Sequence, residues 1–221
     1  SNVGSLTYDH SDNSMRFETS DSERMRIDSS GRLLIGSTTA VANTGGTGSL
    51  QVLGTGNSDT TFTIGRFSAN ASPGTLAFTK SRNGTIGGNT IVQDDDNLGQ
   101  IIFTASDGTD MLSVGAKIEA EVDGTPGSND LPTRLCFFTT ADGADGATER
   151  LRIDASGNVG IATSSPGQRL DVDGNITASA FIGRSNSSAP TADAAVFRAA
   201  DNTLAFSTAN TERLRIDSSG N

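Results

Sequence analysis

One nine-residue pattern occurs three times in the chain and constrains its fold more than any other feature. Each copy reads Glu-Arg-(Leu or Met)-Arg-Ile-Asp-(Ser or Ala)-Ser-Gly, and the copies begin at Glu23, Glu149 and Glu212. Apolar and charged residues alternate within each copy, so Leu214 and Ile216 fall on one face of a β-strand and the arginines on the other. The closing glycine favours a tight turn. Each copy therefore predicts a strand that ends in a turn.

Each copy lies inside a longer repeated unit that reads as three strands joined by two turns. A segment of the form apolar-x-Phe-x-Thr precedes the three copies, at residues 15–19, 135–139 and 204–208. A short apolar strand follows the first two copies, at 33–37 and 159–163, and the third copy ends at Asn221, where that strand should begin. The 26 glycines of the chain also disfavour long helices. The predicted fold class is all-β.

The rest of the chain is β-like as well, and its composition divides it into four parts. The same alternation predicts further strands at 61–67, 76–79, 99–104 and 116–122. Low-complexity stretches at 41–48 and 185–192 predict linkers, and boundaries are expected near 48, 148 and 188. The predicted parts are a fibre repeat unit with a Gly-rich linker (1–48), a small central β domain (49–148), a second repeat unit (149–188) and a truncated third unit (189–221).

The apolar residues of these strands are too scattered for one chain to close a large core. Five-residue strands with two inward apolar side chains make a thin layer, and isolated hairpins are marginal in water. Numerous strand edges also invite aggregation unless they are paired or covered. We therefore expect parallel copies of the chain to pool their apolar side chains around a common axis. The candidate inter-chain core residues are Phe17, Met25, Ile27, Leu151, Ile153, Phe206, Leu214 and Ile216.

The charged residues of the repeat are predicted to neutralise one another. The chain has a formal net charge of −10 and fourteen arginines against two lysines. Arginine forms planar, bidentate bonds with carboxylates, so we expect ion pairs across strands or chains that fix the strand register. Binding of anionic glycans at a cell surface is the alternative use of these arginines. The candidate ion-pair residues are Glu149, Arg150, Arg152, Asp154, Glu212, Arg213, Arg215 and Asp217.

Composition excludes several classes of function. No apolar run approaches the roughly 20 residues of a membrane-spanning helix, and the acidic chain lacks the basic patch of duplex nucleic-acid binders. One His, one Cys and no Trp leave almost nothing for a His-based mechanism or a zinc cage. We therefore expect no catalytic residue, metal or cofactor. The chain opens at Ser1 and not at a methionine, which indicates a fragment whose targeting cannot be read.

The repeat resembles a module of phage tail fibres. Its Glu-Arg-(Leu or Met)-Arg-Ile-Asp-x-Ser-Gly core continues as Asn-Val-Gly-Ile at 158–161 and as Leu-x-Val-x-Gly-Asn-Ile at 170–176, and the stretch 99–134 is also similar to such fibres. The resemblance implies an intertwined, β-rich homotrimer in the virion that contacts other tail proteins and carries a host-attachment surface. Many such fibres end in an intramolecular chaperone that cuts itself off. Nothing in this sequence matches that peptidase, and any such domain would lie beyond Asn221.

The loops of the central domain are the candidates for contact with a host glycan or protein, since recognition is commonly carried by loops on a rigid scaffold. These loops surround Asp94, Gly108 and Gly124, and the first contains the acidic cluster Asp94, Asp95 and Asp96. Adjacent carboxylates also suit calcium binding or glycosidase chemistry. The simpler interpretation of the cluster, which we favour, is a solvated loop.

The sequence thus predicts a short-stranded, intertwined homotrimeric fibre with a small central β domain and no catalysis. Two other functions stay open. A tailspike-like glycan-degrading enzyme would need two carboxylates placed in a groove, and such proteins usually have a long β-helix. A bacterial extracellular adhesin or filament would use β-repeats of the same design.

Overall fold

The protein is built from β-strands, as its alternating sequence predicts. The computed structural model describes residues 3–177, 203–208, 211–217 and 219–221, together with the backbone of 194–197. Within these ranges the only helix is one 3-10 turn at Asn57–Thr60. The predicted all-β class is confirmed. The chain divides into two compact units, Ser1–Gly174 and Asn175–Asn221. The predicted linker at 185–192 and the boundary at 188 lie outside the described residues.

A five-stranded sheet opens the first unit and contains the first copy of the repeat. Its strands lie side by side in chain order: β1 (Gly4–Asp9), β2 (Ser14–Thr19), β3 (Ser22–Ile27), β4 (Leu33–Ile35) and β5 (Leu50–Val52). Neighbours from β1 to β4 are antiparallel, whereas β4 and β5 run parallel. The alternating Glu-Arg segment forms β3, and the turn after it leads into β4.

A six-stranded sheet completes the first unit and contains the second copy. Its strands again lie in chain order: β6 (Asn97–Ala105), β7 (Ser113–Val122), β8 (Thr133–Thr140), β9 (Ala147–Ile153), β10 (Val159–Ile161) and β11 (Leu170–Val172). The parallel step recurs between β10 and β11. Residue 148 lies within β9, which pairs with β8, so the second copy continues the sheet of the central strands. The domain boundaries at 48 and 148 stay predictions.

The second unit contains the third copy in a three-stranded antiparallel sheet. Its strands are β12 (Ala194–Phe197), β13 (Leu204–Thr208) and β14 (Thr211–Ile216). The strands β13 and β14 correspond to β2 and β3 of the first sheet and to β8 and β9 of the second. In all three copies a strand pairs with the Glu-Arg strand, the register of the pair shifts once, and the Asp turn follows.

Two of the predicted strands do not form. Residues 61–67 and 76–79 belong to no strand, and between Thr60 and Asn97 the described chain contains no strand at all. A strand needs a backbone partner, and alternation of the side chains does not supply one.

The buried core of the described residues is small. Its fully or nearly buried apolar side chains are Leu34, Val92, Val122, Cys136 and Ala205. Among the described residues, no helix has the length and apolar character to cross a membrane.

Candidate functional site

The three copies of the repeat share one local geometry, which is built around a β-bulge. In the first copy the register of β2 and β3 shifts between Phe17 and Glu18, which leaves Arg24 as the extra residue of β3. A bulge shifts the two-residue alternation by one. Glu23 and Arg26, three residues apart, therefore reach the same face of the sheet. The same shift occurs in the two other copies.

The bulge brings a bidentate Arg–Glu ion pair onto the polar face of each sheet. The guanidinium Nε and Nη2 donate to the two carboxylate oxygens, and the three pairs are Arg26–Glu23 at 2.5 and 2.7 Å, Arg152–Glu149 at 2.7 Å for both bonds, and Arg215–Glu212 at 2.7 and 2.8 Å. The sequence predicted pairing between strands or chains. The structure places each pair within one strand, because the bulge lets residues i and i+3 face the same way.

Among the described residues, the extra arginine of each bulge bonds to a neutral partner and not to a carboxylate. Its Nε donates to the hydroxyl of a threonine at or next to the end of the preceding strand, and the three pairs are Arg24–Thr19 at 2.9 Å, Arg150–Thr139 at 3.1 Å and Arg213–Thr208 at 2.9 Å. Arg150 and Arg213, predicted as ion-pair residues, therefore link the bulge to the preceding strand through a hydrogen bond. Strict alternation misses this role, since it assigns both arginines of a copy to the same face.

The aspartate of each copy holds the turn that follows. Its Oδ1 accepts the amides of the second and fourth following residues, and these aspartates are Asp28, Asp154 and Asp217. The glycine three residues on has φ between 74° and 81° in every copy, the left-handed region that glycine favours. Backbone hydrogen bonds, led by those from Arg32 and Asn221, lower the pKa of Asp28 and Asp217. Asp154 and Asp217, predicted as ion-pair residues, thus act as turn residues.

Further charges surround the first ion pair and neutralise the polar face of the first sheet. Arg16 Nη2 lies 2.8 Å from Asp9 and 2.6 Å from Asp12, and Arg26 Nη1 lies 3.4 Å from Asp12. Hydrogen bonds from Ser14 and Arg16 lower the pKa of Asp12 from 3.8 to about 2. The arginines of this face are thereby committed to carboxylates of the same chain.

The opposite face of the first sheet is apolar and exposed. Two rows of side chains run across all five strands: Leu6, Phe17, Met25, Ile35 and Val52 in one, and Tyr8, Met15, Ile27, Leu33 and Leu50 in the other. The exposed fraction reaches 64% for Leu6 and 55% for Leu50. We call such a surface the apolar face of its sheet.

The other two sheets have apolar faces of the same kind. In the second sheet one row contains Val172, Ile161, Leu151, Phe137, Ile118 and Ile101, and the next contains Leu170, Val159, Ile153, Leu135 and Ala120. In the third sheet Phe206 pairs with Leu214 and Leu204 with Ile216, and Leu214 is 57% exposed. All eight predicted core residues lie on these faces. Their burial between copies stays a prediction.

The acidic cluster ties its own loop to neighbouring segments. Its carboxylates accept three sets of hydrogen bonds: Asp94 from the Gly124 amide at 2.7 Å, Asp95 from Arg134 at 2.6 Å, and Asp96 from two nitrogens of Arg82 at 2.7 Å each. The bonds from Arg82 hold the pKa of Asp96 well below its usual range. The loops at Asp94 and Gly124 therefore lie together, whereas Gly108 lies near the opposite end of β7.

Arg134 is the centre of this cluster, and sequence reasoning did not identify it. Its guanidinium bonds to Asp95 and Glu121 at 2.6 Å each and to Asp123 at 3.1 Å, and its side chain is 13% exposed. Burial opposes ionisation of Arg134, but the hydrogen bonds to the three carboxylates raise its pKa. Glu121 and Arg134 lie opposite each other on β7 and β8, and this register is not visible in the sequence.

Cys136 is a packed side chain in the centre of the second sheet. It is fully buried, and burial raises the pKa of its thiol to about 11. A thiol with so high a pKa carries little thiolate at neutral pH, and the thiolate is the reactive form. Within the described ranges, no group of three or more His, Cys, Asp or Glu residues is placed to hold a metal ion.

Comparison with solved structures relates this arrangement to phage tail fibres. The chain matches the carboxy-terminal domain of the bacteriophage T5 L-shaped tail fibre with a TM-score of 0.54 and 15% sequence identity, over 82% of this chain and 77% of that one. The chain has a tail-fibre fold. The tail-fibre resemblance that the repeat indicated is thus confirmed for the fold.

A second solved structure adds a further domain to the comparison. The T5 tail-fibre domain with its intra-molecular chaperone domain matches with a TM-score of 0.53 and 12% identity, over 83% of this chain and 54% of that one. This chain therefore spans about half of the longer protein. No protein-family model and no curated protein matches the sequence.

Proposed function

We propose that the chain is a structural segment of a phage tail fibre and a component of the virion, and that it assembles as a homotrimer. The observation that carries the proposal is the apolar face on each of the three sheets. Burying a single Leu or Ile side chain contributes about 1.5–3 kcal/mol, so these faces are a large unused source of stability in a single chain.

Parallel association of identical chains suits these faces because cyclic symmetry brings each face to its own counterparts. Each of the three sheets has such a face, so the same kind of association between copies can cover each of them. The polar faces support this assignment, since their arginines are already paired within the chain. The number three is taken from the tail-fibre resemblance.

The assembly serves as a stiff scaffold and not as an enzyme. The carboxylates around Arg134 are bonded to arginines and to backbone amides. Hydrogen bonds from Arg82 to Asp96, and from the Ala155 amide and Arg134 to Asp123, lower the pKa of these two carboxyls. A lowered pKa suits a carboxylate that fixes a loop and does not suit a general acid.

The host-attachment surface is assigned to the loops at Asp94 and Gly124, which the hydrogen bond between these residues joins into one patch. Its partner is a glycan or protein of the host surface, and other tail proteins are the partners along the fibre. Arg134 and Arg82 bond to Asp95 and Asp96 and so hold the first loop in place. Recognition surfaces are commonly formed by loops that a rigid scaffold holds in this way.

The first test is the solution mass of the 221-residue chain, measured by light scattering before and after mild heating. We expect about 68 kDa, three times the chain mass of 22.7 kDa, and we expect that mass to survive heating. A well-folded monomer of 22.7 kDa would contradict the fibre assignment, because each chain would then be stable with its apolar faces uncovered.

The second test concerns catalysis. The assembled protein is incubated with capsular or lipopolysaccharide glycan from bacterial strains that it binds, and new reducing ends are counted over time. We expect binding to cells without release of reducing ends. Sustained release would assign the protein to the glycan-degrading enzymes instead.

A further inference from the structure

Residues 61–80 belong to no strand and connect the two sheets of the first unit along the chain. Every residue of this segment is exposed, including Phe62 at 67%, Phe67 at 102% and Leu76 at 61%. Within the described part of the chain, none of its backbone groups bonds to another backbone group. The amides of Asn70 and Ser72 bond only to nearby side chains in the bend. The backbone groups of the segment are exposed to water, and its aromatic side chains Phe62 and Phe67 are largely uncovered.

The segment consists of two halves with the same side-chain pattern. Residues 61–66 read Thr-Phe-Thr-Ile-Gly-Arg, and residues 75–80 read Thr-Leu-Ala-Phe-Thr-Lys. Both halves place two apolar residues and then a basic one on the same parity, which is the pattern of a strand with one buried face. The chain reverses between the halves, since a Cβ on Gly74 would lie 3.2 Å from the Ile64 carbonyl oxygen.

We infer that residues 61–80 form β-strands only between chains, by pairing with the same segment of the other copies around the fibre axis. This inference rests on the proposed homotrimer and adds where the copies exchange backbone hydrogen bonds. Nearly all buried backbone amides and carbonyls are paired in folded proteins. The segment therefore pairs as soon as its phenylalanines are covered.

The position of the segment identifies a second copy as its partner. It connects β5, the last strand of the first sheet, to β6, the first strand of the second sheet, and each of these sheets has an apolar face. Copies that cover both faces enclose the connection between them. Phe78 already approaches the edge strand β6, because a Cβ on Gly99 would lie 2.5 Å from the Phe78 Cβ. The continuity with the two faces makes the inter-chain strands part of one interface.

Hydrogen exchange with mass spectrometry on the unmodified protein tests the inference directly. In the assembled protein we expect the amides of 61–67 and 75–79 to exchange at least about 100-fold more slowly than in a peptide of the same sequence. Exchange at the peptide rate in a confirmed trimer would overturn the inference and leave the proposed function standing. A monomeric protein would overturn both.

A cross-linking pair then tests which parity faces the axis. In a Cys136→Ser background, Ile64→Cys lies on the apolar parity and Thr63→Cys on the other. We expect oxidation to produce a covalent dimer band from Ile64→Cys chains. The fraction of chains in that band is expected to be at least tenfold lower for Thr63→Cys. Equal cross-linking of both variants, or stronger cross-linking of Thr63→Cys, would overturn the inter-chain strand arrangement.

Discussion

Single residues of the repeat carry roles that depend on backbone geometry. The residue after β4 and the residue after β10 occupy equivalent positions, because the amides of Gly36 and Ala162 donate to the carbonyls of Arg24 and Arg150. Both residues are in the left-handed region, with φ of 79° and 59°. Glycine adopts this conformation freely, whereas alanine pays a steric cost.

These two positions give opposite predictions for matched substitutions. Ala162→Gly is expected to stabilise the first unit by about 1 kcal/mol, and Gly36→Ala to destabilise it by about 1–2 kcal/mol or more. The second cost is increased because a Cβ on Gly36 would lie 2.1 Å from the Leu53 carbonyl oxygen. Urea unfolding midpoints measure both changes. A stabilising Gly36→Ala would contradict the left-handed assignment.

The polar face makes the first sheet sensitive to acid. The pKa of Asp12 is lowered to about 2 by bonds from Ser14 and Arg16, so ionised Asp12 stabilises the folded state above its ordinary pKa of 3.8. That contribution is lost as the pH falls from about 4 towards 2. Unfolding by urea at a series of pH values between 2 and 6 measures the loss. Asp12→Asn is expected to weaken the pH dependence, and an unchanged profile would remove Asp12 from this role.

At the scale of the element, one motif is used three times in different surroundings. The bulge, the ion pair and the Asp turn recur with nearly identical geometry. Exposure is what differs: Arg152 and Glu149 are 14% and 21% exposed, whereas Arg215 and Glu212 are 47% and 32% exposed. Water screens an exposed ion pair and reduces its contribution.

The same substitution in two copies therefore has unequal effects. Glu149→Gln is expected to cost the first unit about 1–2 kcal/mol, because Arg152 loses its charged partner at a half-buried site. Glu212→Gln is expected to cause a smaller loss of stability in the second unit. Urea unfolding of each variant, followed by circular dichroism, compares them. Equal losses would mean that exposure does not govern the strength of this pair.

At the scale of the whole molecule, stability is expected to come from association of the chains. Few apolar side chains are buried among the residues that the structure describes, and each of the three sheets keeps one apolar face exposed. Antiparallel sheets with one uncovered apolar face need a second layer to be stable. Copies of the same chain provide that layer in the proposed assembly.

A charge on an apolar face should therefore prevent assembly. Leu151→Asp is expected to shift the mass by light scattering from about 68 kDa to 22.7 kDa, the mass of one chain, because a buried carboxylate without a partner is costly. Ile86→Asp is the matched control, since Ile86 is fully exposed on a turn outside the three sheets. A trimer that tolerates Leu151→Asp would exclude this face from the interface.

The sequence could predict the strands of the repeat, because alternation at a period of two is visible in every copy. It also predicted which residues share the apolar face: Leu151 and Ile153 lie on it, as do Leu214 and Ile216. The bulge was not predictable in this way. The extra residue of the bulge places Glu149 on the same face of the sheet as Arg152. The alternation visible in the sequence is the same with or without the bulge.

The sequence by itself determined the all-β class, the three repeat units, the turns at Asp28, Asp154 and Asp217, and the division of each sheet into a charged and an apolar face. These features follow from local preferences, which a few neighbouring residues set. Only the tertiary structure decided which residues form ion pairs and backbone hydrogen bonds with each other. It joined Arg134 to carboxylates of two other segments, committed the acidic cluster to its own scaffold, and left 61–80 without the backbone partner that a strand requires. Such pairings connect residues far apart in the chain, and a periodic pattern contains no information about them.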